Sequence, residues 1–295
     1  MLKMGFTLPT FARHLPKSKS DLSAFCFLLA AIHSIGLFEL LVVLPSIYST
    51  TTHASDESGF SLYYFHVFMG VFFYTNVILN LYKVMTTNTS TRGKVLPSIL
   101  RPGWRFCSVC ESNSPPRSFH CFVCKSCILK RDHHCTFTGN CIGLYNHRYY
   151  IGLVFYMCLA AGYSCFLNFD FMYHLFGSTS IKSLLTVLFP MVSWIFFHTD
   201  AMTSFQVLMT SLCIVGFFLC GGLLAYHLTN ALKGQIVYER TYNIDTYDLG
   251  WKANVSLLLG TQWKLAWLFP FIQSPIPCDG LEFMTKQNYE SLKTM

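Results

Sequence analysis

Charge is scarce in this chain. Only 12% of its 295 residues are Asp, Glu, Lys or Arg, against about a quarter in an average soluble domain. That shortage excludes a freely soluble globule. With 53% hydrophobic residues and a mean hydropathy of +0.41, the composition predicts a membrane protein. Lys and Arg are missing altogether from four long apolar runs, roughly Leu22 to Tyr48, Phe60 to Tyr82, Tyr149 to Phe176 and Phe205 to Leu228, whose only acids are Glu39 and Asp170. A helix of about 20 residues crosses a hydrocarbon core of about 30 Å, so each run is long enough to span. A fifth apolar stretch, Ile181 to Phe197, is shorter and carries Pro190 near its middle; it reads as a re-entrant or interfacial segment.

Cations are also absent from Ser49 to Gly59, and Lys182 is the only one between Gly177 and Ser204. The others fall in three blocks: four before residue 22, ten between 83 and 148, and six after 229. Lys and Arg stay on the cytoplasmic side of a membrane, and four spans put 20 of the 21 on one side. Five spans would send the last six to the lumen. The expected layout is a cytosolic amino terminus (1–21), two spans (22–82), a cytosolic insert (83–148), two spans joined by a luminal loop (149–229), and a cytosolic tail (230–295) folded back on the membrane surface. The first apolar run is too long for a cleaved signal peptide, so none is expected. The sequons at Asn88 and Asn254 then face the cytosol and should carry no sugar. Among the spans, Glu39, Asp170, His33 and His66 are candidates to line a polar cavity, and the two acids equally fit luminal ends that reach water.

Tandem repeats and low-complexity tracts are lacking too, and residues 84–148 show no apolar stripe of helical period. So small an insert needs another source of order, and metal is a common one. Cysteine supplies it. Of 13 cysteines, seven crowd into this stretch: Cys107, Cys110, Cys121, Cys124, Cys127, Cys135 and Cys141. In the reducing cytosol a disulfide framework is excluded in favour of metal. Cys107-x2-Cys110 and Cys121-x2-Cys124 are zinc knuckles, each needing two further ligands to complete a tetrahedron. His120 sits beside Cys121, and sequence neighbours rarely point at one ion, so an interleaved arrangement with His120 serving the first knuckle is expected. Two four-coordinate sites consume eight ligands, leaving one cysteine and one histidine over. Counting ligands leaves open which cysteine is spare. Zinc-finger recognition of nucleic acid is disfavoured, because the spacing of a DNA-reading finger is absent.

The run HCFVCKSCILKRDHHCTFTGNCIG, with the preceding C-x2-C and PPRS, resembles the cysteine-rich domain of the DHHC-type protein S-acyltransferases, or palmitoyltransferases. That resemblance implies an all-α membrane protein: a bundle of four transmembrane helices with a small, irregular, two-zinc cytosolic domain between helices 2 and 3. It implies one structural Zn2+ on Cys107, Cys110, His120 and Cys127 and another on Cys121, Cys124, His134 and Cys141. Cys135 is then the nucleophile, His133 its base and Asp132 the group that holds His133. In the tail, YDLGWKANVSLLLG resembles the family's packing motif, with Asn254 as its key asparagine. IVYE, ending at Glu239, stands where Thr-Thr-x-Glu is usual. Thr136 and Phe137 replace the usual Pro and Trp, and Ile236 and Val237 replace both threonines, as in a divergent branch. The loss of those threonines removes a hydroxyl able to bond near the aspartate.

The implied reaction moves a long-chain acyl group from acyl-CoA (palmitoyl-CoA) through Cys135 to cytosolic cysteines of membrane-associated client proteins. Arg117, Lys130, Arg131 and Arg148 are the candidates for the CoA phosphates. An endomembrane, Golgi or endoplasmic reticulum, is the expected location, with the active site facing the cytosol. The alternative is a catalytically silent, zinc-stabilised membrane scaffold that binds clients.

Overall fold

The computed structural model describes residues 14–50, 57–197 and 200–293. Four of its helices are long and apolar enough to cross a membrane, over Lys19–Tyr48, Phe60–Thr86, His147–Phe176 and Ala201–Leu232. They coincide with the four apolar runs. The first is built of α1 (Lys19–Phe38), a π-helical turn (Glu39–Val43) and α2 (Leu44–Thr50). Pro45 accounts for the widened turn, since it has no N–H to return to the carbonyl of Leu41 and its ring crowds that carbonyl. The second and third spans lie in α3 (Glu57–Thr86) and α4 (His147–Phe176). The stretch around Pro190 forms two eight-residue helices, α5 (Ile181–Leu188) and α6 (Pro190–Phe197). Neither is long enough to span, as the interrupted pattern requires. The fourth span is α7 (Ala201–Leu232).

The chain forms two compact units. One, residues 29–77 and 154–224, holds segments of all four spans. Phe38, Val43, Leu44 and Ile47 of the first pack with Leu167, Phe171 and Met172 of the third and with Val207 and Met209 of the fourth. Polar groups inside this unit pair with one another: Asn168, fully buried, donates to Glu39 Oε1 at 2.6 Å and accepts from the Thr210 hydroxyl at 3.0 Å. Asp170 is different. Its side chain is half exposed and faces His174 one turn on, at 3.8 Å.

The other unit, residues 1–28, 78–153 and 225–295, carries the cysteine-rich insert. The insert is more regular than expected. Six three-residue strands form three antiparallel hairpins: β1 (Arg105–Cys107) with β2 (Ser112–Ser114), β3 (Phe119–Cys121) with β4 (Ser126–Ile128), and β5 (His133–Cys135) with β6 (Asn140–Ile142). Strands this short cannot show an alternating hydrophobic pattern, which is why the sequence reads as irregular. Arg131 N–H bonds to Arg117 O at 2.9 Å, linking the segment before β5 to the one before β3, and Asp132 N–H bonds to Ile142 O at 2.9 Å at the open end of the third hairpin.

The same unit contains α8 (Val237–Thr241), α9 (Trp251–Leu259) and α10 (Lys286–Lys293). Asn254 locks the tail in place. Its amide donates to Leu232 O and Asp248 Oδ1, and its Oδ1 accepts the Leu249 N–H. Gly234 allows this closure: it has φ +64°, and a Cβ there would stand 2.7 Å from Asn254 Oδ1.

Candidate active site and metal centres

Each knuckle hairpin aims its cysteines at a histidine from the next hairpin along the chain. His120 Nδ1 lies 3.2 Å from Cys110 Sγ and 3.7 Å from Cys107 Sγ. Cys127 completes that group, its donor atom within 4.8 Å of the other three. His134 Nδ1 lies 3.6, 3.4 and 3.6 Å from the sulfurs of Cys121, Cys124 and Cys141. Two Cys3His groups result, with the membership expected. Their chemistry fits zinc, which takes three thiolates and one imidazole in a closed tetrahedron. The electrostatics of the bare thiols point the same way. A hydrogen bond from Cys141 pulls the Cys124 thiol down to about 4, and the same contact drives Cys141 far upward. A divalent cation removes that conflict by stabilising all three thiolates at once.

One partner of the second group gave no signal in the cysteine pattern. Asp21, buried in the first turn of α1, places Oδ2 3.2 Å from His134 Nε2. A carboxylate behind a ligating imidazole fixes its tautomer and raises its basicity. Asp21 is 113 residues away in sequence, too far for any spacing rule to connect the two. Ser18 caps α1, accepting the Asp21 N–H.

Cys135 belongs to neither group. It ends β5 on the same short hairpin as His134, buried to 8% exposure. His133 Nδ1 lies 2.8 Å from Asp132 Oδ2. Burial opposes the charged imidazole, but hydrogen bonds to Asp132 and Cys135 outweigh it and raise His133 to about 9. Burial likewise opposes the thiolate, but hydrogen bonds with His133 and Thr138 outweigh it and lower Cys135. Desolvation pushes Asp132 upward, yet His133 and His227 beside it prevail and hold its carboxyl well below the usual range. The three together favour an ion pair of thiolate and imidazolium.

The threonine replacements have a structural answer. Asp132 Oδ1 accepts a hydrogen bond from the Val237 backbone N–H at 3.1 Å. A main-chain donor at the first position of α8 thus stands beside the aspartate. Glu239 is engaged elsewhere. It accepts the Ile236 N–H at 2.9 Å and forms a two-pronged pair with Arg117 at 2.8 and 2.7 Å.

Two of the four basic candidates for CoA phosphates, Arg117 and Lys130, are buried, and the other two, Arg131 and Arg148, are half-buried. Arg117 is buried, spent on Glu239 and on Gly234 O at 2.7 Å. Lys130 is buried too, and desolvation followed by the Arg117 charge lowers it to about 8. Arg131 is half-buried; burial opposes its charge, but Cys141 and Cys121 beside it outweigh that and hold it upward. Arg148 donates to Ser274 O at 2.6 Å and to the Tyr149 hydroxyl. Charges can be counted in the sequence, but their consumption by the fold cannot.

Comparison with known proteins agrees with this geometry. Residues 101–244 match the DHHC palmitoyltransferase family. The chain is 35% identical over 230 residues to the probable palmitoyltransferase ZDHHC24 of Danio rerio, covering 77% of this chain and 78% of that protein. It is 35% identical over 218 residues to the Homo sapiens protein of the same name and 34% over 215 to that of Rattus norvegicus, each covering 71% of this chain and 75% of the relative. The divergent branch expected from Thr136, Phe137, Ile236 and Val237 is thus the one these relatives represent. With two Cys3His groups, a Cys-His-Asp constellation outside them and four spans, the chain belongs to the DHHC palmitoyltransferase family.

Proposed function

We propose that the protein is an S-acyltransferase that passes a long-chain fatty acyl group from acyl-CoA, through Cys135, to cysteines of client proteins. The observation that carries this reading is the position of Cys135: outside both metal-binding groups, and two residues along β5 from an imidazole that Asp132 holds and that favours its thiolate. In the first half-reaction the Cys135 thiolate attacks the thioester carbonyl. The carbon–sulfur bond to CoA breaks, and the departing CoA sulfur takes the proton from His133. In the second, His133 accepts the proton of a client thiol, whose sulfur attacks the Cys135 thioester and frees the enzyme. One thioester is exchanged for another of similar energy. The chain therefore supplies alignment and a lowered barrier rather than driving force.

Asp132 keeps the His133 tautomer fixed and stabilises the imidazolium between the two halves. Zinc in the two Cys3His groups supplies structure, since a closed tetrahedron has no open position for substrate. The charge distribution supports a cytosolic active site, with the insert and tail on the side that holds most cations. We assign the protein to an internal membrane, Golgi or endoplasmic reticulum, and its clients to that surface. Cys135→Ser tests the reading: an alkyne fatty-acid label, sensitive to hydroxylamine, should form on the wild type and vanish in the variant. Equal label on both, or none on either, would leave the silent scaffold as the function.

A further inference from the structure

The reaction leaves two buried histidines unused. His147 opens α4 and His227 lies near the end of α7, and with Asp132 they are only 3%, 6% and 5% exposed. One donor atom from each of the three lies within 4.8 Å of the others. Asp132 Oδ2 is 3.4 Å from His227 Nδ1, and among the described residues that nitrogen has no hydrogen-bond partner. Both ring nitrogens of His147 are buried without partners as well. Buried polar atoms are almost always satisfied, and exceptions ask for an explanation. Asp132 still has lone pairs to offer after accepting from Val237 and His133.

Two imidazoles and one carboxylate, drawn from a loop and two different helices, form the donor set that holds a divalent first-row transition ion with positions left open. They offer too few oxygens for magnesium or calcium. We propose that Asp132, His147 and His227 form a third metal site, distinct from the two sulfur-rich groups, which takes up Zn2+ reversibly and switches acyl transfer off. Zinc at 2.0–2.1 Å from each donor needs them roughly 3.3 Å apart, so the three side chains close inward as the ion enters. With no thiolate and one ligand fewer, this site binds more weakly than the other two. Occupancy competes for Asp132, the group that orients His133. The inhibitory consequence rests on the acyltransferase reading, whereas the site itself does not.

The full-length protein in detergent, carrying its two structural zinc ions, is dialysed against graded free Zn2+ and its metal content measured. Wild type should rise from two to three equivalents, while His147→Gln and His227→Gln stay at two. Retention of two ions by the variants shows that they are folded. Saturation of the wild type at two, or a third equivalent in the double variant, would overturn the site. Co2+ added to the two-zinc protein should give weak visible bands without sulfur-to-cobalt charge transfer; a strong sulfur band would place the ion on cysteine and overturn it too. As the third equivalent binds, hydroxylamine-sensitive label on wild-type Cys135 should fall about 10-fold or more, and whatever label His147→Gln retains should not respond to zinc. Unchanged wild-type label with the third site filled overturns the inhibitory role. Absence of label at every zinc level defeats the acyltransferase reading instead, and the stoichiometry still decides the metal site.

Discussion

The two Cys3His groups are built from the same parts and differ in what surrounds them. The first, on Cys107, Cys110, His120 and Cys127, has two half-exposed thiols, and among the described residues its histidine has no carboxylate behind it. The second, on Cys121, Cys124, His134 and Cys141, is more buried and has Asp21 behind its histidine. His134 also stands between His133 and Cys135 on β5. One group therefore ties two hairpins together, while the other also fixes the strand that carries His133 and Cys135. Identical ligands need not do identical work; the neighbours decide.

Breaking each group separately exposes that difference. Cys141→Ala should lose one zinc of two and all acyl-enzyme label, whereas Cys110→Ala should lose one zinc but retain part of the label, measured by metal content and fatty-acid labelling side by side. Equal loss of label in both would erase the distinction. Next in size is Arg117→Ala. It leaves Glu239 buried and uncompensated, which costs about 3–5 kcal/mol and should appear as a large fall in Tm with both zinc ions still bound below the transition. Asp21→Asn acts on the second group alone: zinc retention there should weaken about 10- to 100-fold, read by chelator competition, with the first group unmoved.

The smallest change is Val237→Pro. Proline is tolerated at the first position of a helix, and Ile236 before it is already extended, with φ −95° and ψ 165°. Only the N–H to Asp132 disappears. A hydrogen bond to a charged group contributes about 1.5–3 kcal/mol, so the rate of acyl-enzyme formation should fall roughly 10-fold or more at unchanged zinc content. Val237→Thr restores the hydroxyl and keeps the N–H, and should leave the rate within about twofold of wild type if the backbone donor suffices.

The spans were legible because a bilayer imposes one rule, a run of apolar residues long enough to cross, and Pro190 broke the fifth run where the structure breaks it. The metal ligands were legible because knuckle spacing is local. What stayed hidden depends on contacts across long stretches of chain. Asp21 meets His134 and Val237 meets Asp132 across 113 and 105 residues, and no spacing rule reaches that far. Arg117 looked free for phosphate because its partner Glu239 lies 122 residues on. The backbone donor at Val237 was invisible for another reason: a side-chain motif says nothing about N–H groups.

Asn146 has a consequence for how the enzyme matures. Fully buried between β6 and α4, it donates to Cys141 O at 2.9 Å and to Val84 O, near the end of the second span, at 3.2 Å, while accepting the Gly143 N–H at 2.8 Å. Only four residues separate Ile142 from His147, so this joint has no slack. A chain whose second or third span enters the bilayer the wrong way round cannot close it. Insertion errors should therefore yield inert protein rather than a partly working catalyst on the wrong side of the membrane.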